Sequence, residues 1–205
     1  MSDLFDYFQE KFKGSPVAKG PILKNTKDLI QLKLKIDKLD LTICITDGMR
    51  SKKMEIPAHM NYPRFTECFF CLPSYWDFQE VESEKMRWPF EWLEKITNYF
   101  LQNDTWFGPG HTFSNGTPPM PFSTQLKANH LIMMSPIMLN DVLSPVTIGE
   151  QTISFLALVP IFEQEFDVKI VKGYDKFLAK FLSKNGTEII DDYRQNIYQS
   201  RFKFF

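Results

Sequence analysis

The sequence predicts an α+β fold: a mixed, largely antiparallel sheet flanked by helices. Three observations carry that reading. Residues 30–36 and 39–45 each alternate apolar and polar side chains and are separated by only two residues. Residues 151–159 form a near-continuous apolar run. Stretches with helical apolar spacing lie at the start, middle and end of the chain, so strands pair locally and helices pack around them.

Taken in order, Ser2 to Lys13 reads as a short amphipathic helix. Leu4, Phe5, Phe8 and Phe12 share one face, Asp3 and Asp6 fall in the first turn, and Gly14 ends it. After a loop with Pro16 and Pro21, Ile30 to Ile36 and Leu39 to Ile45 predict a hairpin turning at Asp37-Lys38. Residues 45–57 are a loop with its turn at Asp47-Gly48. A third strand is expected from about Phe65 to Leu72, stopped by Pro73. Trp88-Pro89 then opens a helix, with proline at its first position. Trp88, Trp92, Ile96, Tyr99 and Phe100 give that helix its buried stripe. Leu131 to Met134 is a strand, a turn lies near Gly149, and Gln151 to Val159 is a central strand buried on both faces. Pro160 is expected to start a helical stretch, and Tyr174 to Leu182 a second helix stopped by Asn185-Gly186. The organisation expected is 1–28 as N-terminal helix and lead-in, 29–184 as the main domain, and 185–205 as a C-terminal tail.

Composition narrows the function classes. Lys plus Arg number 24 against 25 Asp plus Glu, so no global positive field exists to hold a polyanion, and nucleic acid is not expected as a partner. No run of eighteen apolar residues and no apolar leader occur, which predicts a cytoplasmic protein without a membrane span. Three cysteines, Cys44, Cys68 and Cys71, form no disulfide framework. Cys68 and Cys71 have half the spacing of a zinc site, but residues three apart in a strand point to opposite faces and no second ligand pair follows. They read as buried thiols, and neither metal nor cofactor is expected. The sequence contains no phosphate loop, GxGxxG, GxSxG or HExxH.

The most unusual stretch is DTWFGPGHTFSNGTPPMPF, Asp104 to Phe122. Gly108 and Gly110 bracket Pro109 in a tight turn, Asn115-Gly116 is a turn dipeptide, and Pro118, Pro119 and Pro121 stiffen the chain beyond it. Trp106, Phe107, Phe113 and Phe122 are candidate anchors. Such a loop has little conformational entropy left to lose, which suits both architecture and a preorganised binding surface. His111, with Asp104 seven residues before it, is the one pair from which a base and its orienting acid can be imagined.

These residues resemble the signature of the suppressor of fused-like family. Thr105 to Thr112 match its TWLGPGHT-like block, and Asn115-Gly116, Pro118-Pro119 and Pro121-Phe122 match the block after it. Thr46-Asp47-Gly48-Met49 with Met54 and Pro57, Leu72-Pro73 with Trp76, Trp88-Pro89 with Leu93, and Leu158-Val159-Pro160 with Glu163 and Glu165 fall in the family's order. Phe107 stands in place of Leu, Ser114 in place of Pro and Asp47 in place of Ser. The resemblance implies a non-catalytic protein-binding domain, similar to the N-terminal domain of the animal protein, whose partner peptide adds a β-strand. Stand-alone members look bacterial and have been proposed as immunity proteins that neutralise a cognate toxin. Candidate binding residues are Met49, Trp106, His111 and Asn115. The rival reading is a hydrolase using His111 with Asp104, and an exposed sheet edge open to another chain is a third.

Overall fold

The computed structural model describes residues 4–19, 29–76 and 83–199. Among the described residues, eight strands and four α-helices follow one another as α1 (Leu4–Lys11), β1 (Val17–Lys19), β2 (Leu29–Ile36), β3 (Leu39–Thr46), β4 (Phe65–Pro73), α2 (Glu84–Gln102), β5 (Thr112–Ser114), β6 (His130–Met134), β7 (Val146–Ile148), β8 (Gln151–Ile161), α3 (Glu163–Lys172) and α4 (Tyr174–Leu182). The sheet order is β1-β2-β3-β4-β8-β6-β5, with β7 also paired to β8. Among the described strands only β4 and β8 run parallel to each other; the other strand pairings are antiparallel. The mixed α+β sheet is therefore as expected.

Alternation along the strands builds two cores. Cys44, Cys68, Phe70, Leu72, Leu131, Met133, Leu156 and Leu158 face one side, where they meet Trp88, Leu93, Ile96 and Phe100 of α2. Ile43, Ile45, Phe69, Cys71, Ile132, Phe155 and Val159 face the other, under Leu4 and Phe8 of α1 and Phe177 and Phe181 of α4. Cys68 and Cys71 thus lie on opposite faces, both buried. The β2–β3 hairpin turns where predicted, with Asp37 at φ 54°, a left-handed conformation that aspartate tolerates.

Two helix starts differ from expectation, both at prolines. Helix α2 begins at Glu84, so Pro89 lies inside it; residues 77–82 lie outside the described residues. Pro89 is the sixth residue of the helix, so its missing N–H forfeits an intrahelical bond to the Lys85 carbonyl. Wholly or nearly buried Trp88, Phe90, Leu93, Ile96 and Phe100 outweigh that loss, at about 1.5–3 kcal/mol per large side chain. Pro160 begins no helix but continues β8, pairing with Leu131. The β4–β8 pairing ends at Phe69 and Ala157, so the far side of β8 is open at residue 160. The Pro160 carbonyl points there and accepts from Arg194 Nη2 at 2.8 Å. The missing N–H shares that side, where no ladder bond is lost. Helix α1 is described from Leu4 onward, and the expected Ser2–Asp3 start lies outside the described residues. The short strands β1, β5 and β7 went unpredicted.

Residues 185–199 pack rather than fray. Ile189 bridges Cys71 where β4 and β8 part, and Ile190 N donates to Cys71 O at 2.9 Å. Glu188 is buried and accepts from the backbone N–H groups of Ile137, Met138 and Leu139 at 2.7–3.0 Å. Glu165, wholly buried, takes a two-pronged ion pair from Arg194 at 2.7 Å and a bond from Ile197 N at 2.9 Å. Residues 200–205, the rest of the tail, lie outside the described residues.

Candidate functional site

The stretch after α2 is anchored from both sides. Lys52 Nζ donates to Asn103 O at 2.7 Å and lies 3.4 Å from the exposed Asp104 carboxylate, placing a cation at the carbonyl end of the helix. Phe107 is buried against Phe100, with ring centroids 5.2 Å apart. The Trp106 ring lies across Gly108, where an added Cβ would sit 2.8 Å from the indole. Gly110 has φ 91° and touches the Tyr174 ring of α4, so the turn needs glycine both for its backbone angle and for space.

β5 is the outermost strand on its side of the sheet. It pairs with β6 in the register Thr112↔Ile132, Phe113↔Leu131, Ser114↔His130. Met133 N donates to His111 O at 2.8 Å and Asn115 N to Asn129 O at 2.9 Å. Inward-bonding positions are therefore 111, 113 and 115, and the backbone groups of Thr112 and Ser114 point away from the sheet. Gly116 N donates to the Ser114 carbonyl at 3.0 Å. Among the described residues no further strand pairs with β5. Phe113, half-buried, packs edge-on against Phe107 and Tyr99 of α2.

The Asn-Gly turn closes tightly. Met120 N donates to Asn115 O at 2.7 Å, and Asn115 Nδ2 donates to the carbonyls of Met120 and Pro121 at 2.8 and 3.2 Å. Phe122 returns the chain to the core, 4.8 Å from Trp88 and 5.8 Å from Trp92.

The four candidate residues separate into different settings. His111 lies against Trp106, ring centroids 4.4 Å apart, and hydrogen-bonds to that residue's backbone. Burial, and secondarily the Lys169 ammonium, lower its pKa, so the imidazole is neutral at neutral pH. Asp104 pairs with Lys52, and no carboxylate is among the groups that shift His111, so the imagined acid–base pair is not assembled. Trp106 is half-buried, Asn115 holds the turn, and both flank β5. Met49 lies in the other matched block and is wholly buried. It offers no side-chain surface to a partner.

What holds Met49 is a buried acid. Glu67 on β4 is wholly buried, and its carboxyl group receives the N–H groups of Gly48 at 3.1 Å, Met49 at 3.3 Å and Arg50 at 2.9 Å, at the start of the single 3-10 turn Met49–Ser51. Glu67 Oε2 also shares a short hydrogen bond with Thr46 Oγ1. Burial dominates its electrostatics and pushes its pKa up to about 8, despite the hydrogen bonds from Thr46, Arg50 and Met49 that favour the anion. The Thr46–Met49 block is thus wired to one buried carboxyl. Sequence reasoning passed over Glu67; its signal was an acid in the middle of the apolar strand FTECFFCLP.

Comparison with known proteins agrees with this architecture. The family model for suppressor of fused protein matches residues 30–195. No curated protein matches the chain at a significant level. Among solved structures, a chain in the crystal structure of the Sufu–Fu complex superposes with TM-score 0.60 at 13% identity, covering 94% of this chain and 88% of that one. Drosophila Suppressor of Fused superposes with TM-score 0.51 at 16% identity, covering 78% of this chain and 39% of that one. At these identities the likeness is one of fold. With the family model spanning β2 to β8, helices α2 to α4 and the matched blocks, the chain belongs to the suppressor of fused protein family.

Proposed function

We propose that this chain works by non-catalytic, stoichiometric protein binding, as an immunity-type protein that neutralises a cognate toxin or as an adaptor or inhibitor. One observation carries the reading: β5, inside the signature stretch, presents outward-pointing backbone groups at Thr112 and the outward N–H of Ser114, whose carbonyl already accepts from Gly116 N. An edge of this kind pairs with an extended segment of another chain, and side chains then set specificity. Family membership supports it, as does the occurrence of the related Sufu protein in a complex with Fu. The imidazole of His111, tilted against Trp106 and with no carboxylate among the groups that shift it, gives the hydrolase reading no support.

The test begins with affinity capture from the native cell and co-expression with products of neighbouring genes, followed by reconstitution from purified components. The expected result is a one-to-one complex that Thr112→Pro weakens while melting stays unchanged. A complex indifferent to Thr112→Pro, or turnover of a substrate lost in His111→Gln, overturns the proposal.

A further inference from the structure

Helix α3 follows β8 and is held over the β6 end of the sheet: its Phe166 ring stacks on His130 of β6, centroids 4.1 Å apart. One turn further on, Lys169 acts electrostatically on His111, next to β5. Phe166, Lys169 and Ile170 are related by i, i+3 and i+4, so they share one stripe of the helix. Along that stripe cover is progressively lost. Phe166 and Lys169 are half-buried, yet Ile170 is 58% exposed, and its neighbour Val171 is 80% exposed.

The sheet supplies a reason. Its order ends at β5, whose outward backbone groups at Thr112 and Ser114 lack a strand partner among the described residues. The side chains of Thr112 and Ser114 lie on the same face as Ile132 and His130, opposite them in register. That is the face on which α3 packs. An unpaired edge and an uncovered apolar helix stripe therefore adjoin on one side of the sheet, and a strand added to β5 would meet both.

We infer that Lys169 and Ile170 of α3 select the sequence of the segment that pairs with β5. This rests on the binding function proposed above. The occupant is an extended segment of a partner protein. Its side chains alternate between faces, so those on the α3 side fall two residues apart. One is apolar and covers Ile170. The next on that face is acidic and meets the Lys169 ammonium, in a chain whose net charge of −1 makes this basicity local. On the opposite face the segment meets the aromatic wall of Phe113 and Tyr99, the latter 49% exposed.

A displayed library of random nonapeptides, selected on the full chain, tests this without knowledge of the natural partner. The expected result is enrichment of an apolar and an acidic residue two positions apart. Ile170→Asp and Lys169→Glu should each weaken the enriched peptides by about tenfold or more, and Thr112→Pro should abolish binding. Circular dichroism and melting confirm that each variant folds; Ile170 is exposed enough for the charge to be tolerated. Loss with Thr112→Pro but not with the α3 variants overturns the selectivity and leaves strand pairing standing. Loss with the α3 variants but not with Thr112→Pro overturns it as well, since the peptide then docks on the helix alone. A selection that enriches no peptide, or one whose peptides ignore all three variants, sinks both the inference and the β5 interface.

Discussion

Two of the matched blocks, Thr46–Met49 and Thr105–Phe122, occupy opposite physical situations. The first is interior. Thr46 and Met49 are buried, and three successive N–H groups end on the buried Glu67 carboxyl. The second is divided: Phe107, Gly110 and Phe122 are buried, while Thr112 to Met120 run along the rim. Shared signatures of this kind mix folding determinants with surface, and the second block is the more exposed of the two. The difference has measurable consequences.

The largest effect is expected at Glu67. Glu67→Ala strands three backbone donors and the Thr46 hydroxyl in the interior, at a cost of about 3 kcal/mol or more, read by denaturant unfolding. Glu67→Gln should retain much of the stability, because an amide imitates the protonated acid. The pH dependence distinguishes the two. With its pKa raised to about 8, Glu67 holds its proton more tightly in the folded chain, so its contribution is complete below the ordinary carboxylate pKa and is lost as pH rises through about 8. The stability of the wild type relative to Glu67→Gln should therefore fall between about pH 4.5 and 8. His111 and His130, whose pKa values burial lowers, push stability the opposite way and cancel in the difference. A constant difference across that range would show that Glu67 is ionised and that the clamp is anionic.

Trp106 comes next and tests the interior half of the second block. Trp106→Ser uncovers Gly108 and His111, and a loss of about 2 kcal/mol is expected for this half-buried ring. An unchanged melting temperature would move Trp106 to the binding surface and blur the division between the two halves.

Legibility in the sequence divides along the same line. Period-2 alternation located β2 and β3, and a near-continuous apolar run located β8, to within a residue or two, because each has long ladders and buried side chains. The three-residue strands β1, β5 and β7 are too short to establish a period. Proline misled at 89 and 160, since local rules make it a helix opener, whereas packing around α2 and the open side of β8 decided its place. Glycine and proline chemistry did identify Asp104–Phe122 as rigid. It could not reveal the edge within it, because an edge depends on which strand lies beside which. Glu67, Glu165 and Glu188 were not read as buried acids from the sequence; apart from the Phe162 N–H that Glu165 accepts, their partners lie 17–21, 29–32 or 49–51 residues away in the chain.

Asn115 should show a smaller effect on stability. Its amide donates to two carbonyls across the turn. Asn115→Asp puts an acceptor against both, and about 1 kcal/mol is expected from the lost bonds. Thermal melting checks it, and the same change read by proteolysis should loosen residues 115–121 first. A neutral result would mean that Gly116 and the three prolines fix the turn unaided.

The smallest effect is the most informative about the edge. Thr112→Pro removes an N–H that points away from the sheet, at a position where proline's fixed φ is compatible with an outer strand. Stability should change by no more than about 0.5 kcal/mol. Phe113→Pro, one residue on, removes an inward N–H that bonds to β6 and also discards a ring packed on Tyr99 and Phe107. It should cost several times more. The two substitutions share the same residue type and neighbourhood and differ mainly in which way the N–H points and in what the replaced side chain touches. Adding Phe113→Ala separates these contributions, because alanine keeps the N–H. If Thr112→Pro proves as damaging as Phe113→Pro, the outward groups of β5 are engaged within the folded chain, and the rim has no vacant backbone to offer a partner.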